Sequence, residues 1–265
     1  MAAHAHGGTR PLAYITGASS GIGQALAARY VELGWRVALV ARRAGDIEAW
    51  ASAQGWGPQT CRVYAADVRD VASIVRAGRQ CIEEQGLPDV VIANAGISVG
   101  VDTEQEEDLE VIRATFETNN LGMAATFQPF VKPMRERRRG TLVGVASVAA
   151  IRGLPGHGAY CASKAGVVSY CESLRVESRP FGLRVVTLVP GYIATPLTQR
   201  NTYPMPFLMH PADFARKAVA AIDAQTSYRV IPWQMGIVAK LLRILPNPLY
   251  DRVVSGRGRK KRQGE

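Results

Sequence analysis

Cysteine is scarce in this chain of 265 residues: Cys61, Cys81, Cys161 and Cys171 stand far apart and form no Cys-x-x-Cys pair. That excludes a disulfide-stapled scaffold, and no segment of basic, apolar and cleavable parts precedes them, so the reducing cytoplasm is the expected location. Repeats are absent, as is a polar, Pro/Gly-rich linker in mid-chain, which argues for one domain. Neither the glycine period of collagen nor a coiled-coil heptad is found. His4 and His6 have no partners at metal-ligand spacing, and no metal site is expected. What is present, 47% apolar and 20% charged residues, is the composition of a folded globular protein.

Acid is missing from one region in particular. The net charge is +10, and the tail from Arg252 to Arg262 carries six basic residues (Arg252, Arg257, Arg259, Lys260, Lys261, Arg262) with no Asp or Glu. A second cluster, Arg135, Glu136, Arg137, Arg138 and Arg139, is also basic, and the rest of the chain is close to neutral. Such a tail suits an anionic lipid surface or nucleic acid, or is simply solvated and disordered. Nucleic acid is the weakest of these, because no aromatic residues are interleaved and no groove-reading motif is present. Six acids fall between Asp102 and Glu110, where a helix should begin. They are expected to form a solvated first turn opposing the helix dipole.

Short apolar runs alternate with longer amphipathic ones, the pattern of strands joined by crossover helices. Strands are predicted at 12–16, 36–41, 62–66, 89–93, 141–146, 184–189 and 228–231. Helices are predicted at 21–33, 45–54, 70–85, 106–138 with a break, 157–178, 211–225 and 234–245. Near-continuous β-branched hydrophobicity in the strands requires cover on both faces. The fold class is therefore α/β: a single-domain Rossmann fold, a doubly wound parallel sheet of about seven strands with helices on both sides. Residues 1–11 are expected to be a disordered leader, 12–232 the domain itself with a substrate loop at 192–210, and 233–265 an amphipathic helix followed by the basic tail.

After the first strand, Thr16-Gly17-Ala18-Ser19-Ser20-Gly21-Ile22-Gly23 runs directly into a helix. Glycines there permit a tight turn, close approach of backbone to phosphate, and close packing of helix on strand. The N–H groups opening the helix then bind an anion. Further along stand Asn94-Ala95-Gly96, Asn119-Asn120-Leu121-Gly122, Ser147 thirteen residues before Tyr160, Tyr160-Cys161-Ala162-Ser163-Lys164, and Pro190-Gly191 with Thr195. This ordered set resembles the short-chain dehydrogenase/reductase family over roughly residues 12–230, matching its TGxxxGxG, NAG, NxxG, serine, YxxxK and PG motifs.

The resemblance implies an oxidoreductase using a nicotinamide dinucleotide, with Tyr160 as general acid in carbonyl reduction and general base in reverse. Ser147 would orient the substrate oxygen. Lys164 would hold the nicotinamide ribose and favour the phenolate by its charge. Asn119 would hold a relay water, with Asn120 excluded only by the NxxG register. Gly17, Ser19, Ser20, Gly21, Ile22, Gly23, Asp67, Val68, Asn94, Ala95, Gly96, Pro190, Gly191, Ile193 and Thr195 would line the cofactor. The second strand ends at Ala41, and Arg42 and Arg43 follow it, where NAD-binding chains carry an acid; this predicts NADP(H) over NAD(H), unless both arginines are solvated loop charges. Cys161 has no well-placed histidine to activate it as a nucleophile, His157 being better read as pocket wall.

Apolar residues at 97–101, 151–158 and 192–209 favour a small lipophilic carbonyl or alcohol substrate, although core packing would explain them equally. The segment Trp233–Leu245 is amphipathic and too short to span a bilayer, which takes about 20 apolar residues. It could lie on an anionic membrane surface, contact a second subunit or cover the pocket. A homodimer or homotetramer is implied by the resemblance. A second reading of the whole chain is a non-catalytic NADP(H)-binding redox sensor, against which the presence of both Tyr160 and Lys164 weighs.

Overall fold

The computed structural model describes residues 10–264 apart from Arg200, Thr202, Arg257 and Gln263. Seven strands, β1 (Leu12–Thr16), β2 (Arg36–Ala41), β3 (Cys61–Ala65), β4 (Val90–Ala93), β5 (Thr141–Val145), β6 (Arg184–Pro190) and β7 (Tyr228–Ile231), form one sheet in the order β3-β2-β1-β4-β5-β6-β7. All six pairings are parallel. Parallel neighbours require a crossover between them, and helices supply it: α1 (Gly21–Glu32), α2 (Ala44–Ala53), α3 (Val71–Gln85), α4 (Asp108–Phe116), α5 (Gly122–Arg137), α6 (Gly158–Ser178), α7 (Pro196–Gln199) and α8 (Pro211–Asp223). Beyond the sheet lie α9 (Trp233–Ile244) and α10 (Asn247–Val254).

Side chains of a strand alternate between its faces, and β1 distributes them accordingly. Leu12 and Tyr14 enter a core with Ile74 and Cys81 of α3, Phe127 and Phe130 of α5, and Val167 and Cys171 of α6. Ala13 and Ile15 enter the opposite core with Leu26 and Tyr30 of α1, Ile47 of α2, and Phe214 and Ile222 of α8. Two cores, one on each face, account for strands with almost no polar residue. The sheet order reverses direction between β1 and β4, and the crevice outside the carboxyl ends of these strands is where an open α/β sheet binds ligands.

Three details refine the expectations. Residues 1–9 of the leader lie outside the described residues, but Arg10 and Pro11 are not loose: the carbonyls of Arg10 and Pro11 accept from the Arg36 side chain at 3.1 Å and its N–H at 2.8 Å. The break within 106–138 is a π-helical turn, Glu117–Leu121, between α4 and α5. Short α7 and α10 were not predicted, since four and eight residues carry too little periodicity to be seen.

Phe130 is fully buried, with its ring centroid 4.8 Å from that of Tyr14. Phe130→Ala should lower unfolding stability by about 3–5 kcal/mol, read as a shift of the urea midpoint, because the cavity left between α5 and β1 is enclosed by a packed sheet.

Candidate functional site

The strand-to-helix turn after β1 is held against the end of β4. Thr16 Oγ1 accepts the N–H groups of Asn94 (3.2 Å) and Ala95 (3.3 Å), while Asn94 Nδ2 donates to the carbonyls of Thr16 (3.0 Å) and Gly17 (3.2 Å). Gly17 has φ +66°, and a Cβ there would stand 2.7 Å from Ala95 Cα; Gly21 has φ +57°, with a Cβ 2.9 Å from the Thr195 methyl. Both positions thus need glycine for conformation and for space. Ser20 caps α1 without a side-chain hydrogen bond, leaving the first-turn N–H groups pointing out at the crevice. Gly23 differs from its neighbours. It is not on the cavity wall, and its missing Cβ leaves room for the Gly17 carbonyl and Ala18, so its part is in packing the turn rather than touching a ligand.

A single cavity of about 960 Å³ runs over the carboxyl ends of the strands. Its walls bring together Gly17, Ser19, Ser20, Gly21, Ile22, Arg42, Arg43, Asp67, Val68, Asn94, Ala95 and Gly96 at one end with Ser147, Tyr160, Lys164, Pro190, Gly191, Ile193 and Thr195 further along. Arg42 and Arg43 are exposed. Arg43 is tied to Asp46 of α2, whereas Arg42 acts on Asp67 through its charge. Asp67 is gripped by Arg69, a residue sequence reasoning missed, at 2.7 Å, and this bond holds its carboxyl below the usual range.

On α6, Tyr160 and Lys164 share a face as the i, i+4 spacing required, with the ammonium 5.9 Å from the phenol ring centroid. Ser147, at the start of the 3₁₀ turn after β5, lies beside the Tyr160 phenol and opposes the effect of its burial. Burial dominates both titrating groups. It raises the Tyr160 phenol against the lowering effect of Ser147, and it brings Lys164 down to about 8. The expectation that the ammonium favours the phenolate is therefore corrected: Lys164 Nζ donates to the Val145 carbonyl at 2.9 Å, and desolvation of the phenol outweighs any help from it.

Asn119 is buried in the π-helical turn, not on the cavity wall. Its amide bridges both backbone groups of Ile97 (N–H to Oδ1, 2.9 Å; Nδ2 to O, 3.1 Å) and donates to Ser163 Oγ (2.9 Å), which in turn donates to the Tyr160 carbonyl (2.8 Å). Asn120 donates to the Ser163 carbonyl at 2.9 Å. The pair fastens the loop after β4 to the turn of α6 that carries Tyr160. Cys161 is buried and is not on the cavity wall, and burial pushes its thiol up, so it is not activated as a nucleophile beside the phenol. His157 is wall, its Nε2 3.1 Å from the Tyr203 hydroxyl.

The C-terminal segment covers the cavity. Met235, Val238, Ala239 and Leu242 of α9 line it, and Arg152 reaches the carbonyls of Leu242 and Leu245 at the end of that helix while stacking 3.7 Å over the Tyr250 ring. The tail was expected to be solvated or lipid-bound, and the acids at 102–110 to be a solvated helix start. Instead Arg259 pairs with Asp102 (2.8 Å), and Arg262 pairs with Asp108 (2.8 Å) and Glu107 (2.9 Å). Asp108 is only 3% exposed. These pairs join the tail to the acidic run across more than 150 residues of sequence, a relation that no local pattern could reveal.

Residues 11–205 match the family model described as short chain dehydrogenase. An uncharacterized oxidoreductase of Myxococcus xanthus is 38% identical over 90% of this chain and 94% of its own length. An uncharacterized oxidoreductase of Mycobacterium tuberculosis is 34% identical over 93% of this chain and 98% of its own. Among solved structures, a short chain dehydrogenase/reductase of Burkholderia phymatum in complex with NAD superposes with a TM-score of 0.79 at 22% identity, covering 88% of this chain and 92% of that one, and so supports the fold. With its parallel seven-stranded sheet and the match across the strand-end turn and the YxxxK helix, this chain belongs to the short-chain dehydrogenase family and is an oxidoreductase.

Proposed function

We propose that the protein is an NADP(H)-dependent reductase that interconverts a hydrophobic ketone or aldehyde and its alcohol. The observation that carries this reading is the Ser147, Tyr160 and Lys164 cluster in the same cavity as the Gly17–Gly21 turn and Arg42. The residues present fit a dinucleotide: glycine at 17 and 21 lets the turn lie tight against Ala95 and Thr195 on the cavity wall with no side chain in the way, the α1 N-terminus has no side-chain cap and so offers N–H groups to a pyrophosphate, and Arg42 offers a cation to a 2′-phosphate. When bound, the nicotinamide would supply hydride; the protein supplies position and the proton.

Tyr160, kept protonated by burial, is suited to donating its proton to a carbonyl oxygen, and Ser147 beside it can hold that oxygen. Lys164 holds its charge at neutral pH and is fixed by the Val145 carbonyl at the level where it can bind a ribose hydroxyl. Asn119, through Ile97 and Ser163, keeps the Tyr160 turn in place. The substrate end of the cavity is walled by Ile151, Leu154, Tyr192, Leu197 and Tyr203, which favours a lipophilic substrate. A homodimer or homotetramer goes with this reading, supported by exposed apolar Leu121, Tyr170, Val176 and Phe181 around α5 and α6.

A peripheral association with an anionic membrane on the cytoplasmic face rests on a separate observation. At 3.6 residues per turn, Trp233, Ile237, Leu241 and Ile244 of α9 form one exposed stripe, flanked by exposed Lys240 and Arg243. Among the described residues no helix is long and apolar enough to cross a membrane. Arg259 and Arg262 are engaged by carboxylates, whereas Arg252 and Lys261 are exposed, so this reading gives the apolar contact to α9 and leaves those tail cations for anionic headgroups.

Tyr160→Phe should cut NADPH-dependent reduction of lipophilic ketones by at least about 10²-fold while NADPH binding, followed by its fluorescence, is retained. Undiminished turnover would refute the assigned acid. NADPH should bind more tightly than NADH, and Arg42→Asp should weaken NADPH by roughly ten- to a hundredfold, the worth of a hydrogen bond to a charged group, with little effect on NADH. Sedimentation with phosphatidylserine/phosphatidylcholine vesicles should capture the protein, and Ile237→Asp combined with Ile244→Asp should release it; absence of binding by the unaltered chain ends the membrane reading.

A further inference from the structure

The segment after α10 has a built seat. The Gly100 N–H donates to the Lys261 carbonyl at 3.0 Å, and Gly100 pairs with Arg262 as a parallel bridge. A Cβ at Gly100 would overlap the carbonyls of Lys260 and Lys261, and one at Gly156 would stand 2.8 Å from the Lys260 nitrogen. Two glycines from separate loops thus leave room for one backbone. Carboxylates then fix its side chains: Asp102 holds Arg259, and Asp108, which also accepts the Asp102 N–H at 2.6 Å, holds Arg262. Ion pairs of this kind contribute little when exposed and isolated. Here they are joined to a backbone bridge, and Asp108 is buried.

The same segment touches all three loops that surround the substrate end. It meets the loop after β4 at Gly100 and Val101, whose carbonyl accepts from Arg259 at 3.3 Å, and the loop before α6 at Gly156. It meets the loop before α8 through Lys260, which is buried and donates to Asn201 Oδ1 at 2.6 Å. Gly256, Gly258 and Lys260 face into the cavity.

We propose that residues 258–262 are a strap that closes the outer end of the substrate cavity and limits how long a carbonyl compound the enzyme accepts. This rests on the reading of the site as a carbonyl reductase. The strap acts as an end wall: its backbone and Lys260 stand where a longer aliphatic chain would otherwise extend between the three loops. The clamp of Asp102, Glu107 and Asp108 sets how firmly the wall stands, so high salt loosens it.

The test uses Tyr160→Phe protein loaded with NADPH, so that ketone binding is read from cofactor fluorescence without turnover. In that background, 2-heptanone and 2-undecanone are titrated into the full chain, a chain ending at Ser255, Asp108→Arg, Arg262→Asp and the double charge swap, with amide exchange at Gly100 followed in parallel. Truncation should raise the affinity for 2-undecanone relative to 2-heptanone by about tenfold or more. Each single charge change should do the same and speed Gly100 exchange about tenfold, and the double swap should restore both. An unchanged chain-length ratio, with both ketones still bound and Gly100 deprotected, overturns the strap's role alone. Binding of neither ketone by either the full or the shortened chain overturns the substrate class and the strap's role with it.

Discussion

The grip of β1 on β4 at the carboxyl end of the sheet is the constraint on which the rest depends. Thr16 Oγ1 takes two backbone N–H groups from Asn94 and Ala95, and the Asn94 amide returns to the Thr16 and Gly17 carbonyls. Because crossovers in a parallel sheet are right-handed and the strand order reverses between β1 and β4, α1 leaves to one face of the sheet and the chain after β4 to the other. The polar contacts then hold the two strand ends together at the floor of the crevice that this reversal opens. Glycine at 17 is part of the same constraint, because its backbone lies against Ala95.

From this crevice the chemistry is placed by depth. Lys164 and Tyr160 stand on the first turns of α6, where burial weakens the charge of one and holds the proton on the other. The positions are secured from behind by Asn119 and Ser163, so the π-helical turn in the middle of the α4–α5 helix acts as a bracket. Such turns are commonly found where a helix serves a site rather than a core.

Much of this was legible in the amino-acid order. The strands were found within a residue or so because helices on both faces force runs such as Arg36–Ala41 and Arg184–Pro190 to be apolar almost throughout. The glycine turn, Asn94, Ser147, Tyr160 and Lys164 were visible because each belongs to a local motif at a fixed place between strand and helix. What escaped has no local period. The pairing of Arg262 with Asp108 joins distant segments, α7 and α10 are too short to build a pattern, and Arg69 and Arg152 look like any surface arginine until Asp67 and the end of α9 are seen beside them. The direction of the Tyr160 shift was misjudged for a related reason: sequence spacing gives the nearness of an ammonium but not the desolvation that competes with it.

Cys161 adjoins Tyr160 in sequence yet is buried, and burial keeps it a thiol. Alkylation and conjugate addition require the thiolate. An electrophile that enters the cavity consequently meets no thiolate at Cys161, and the residue next to Tyr160 is slow to be alkylated at neutral pH.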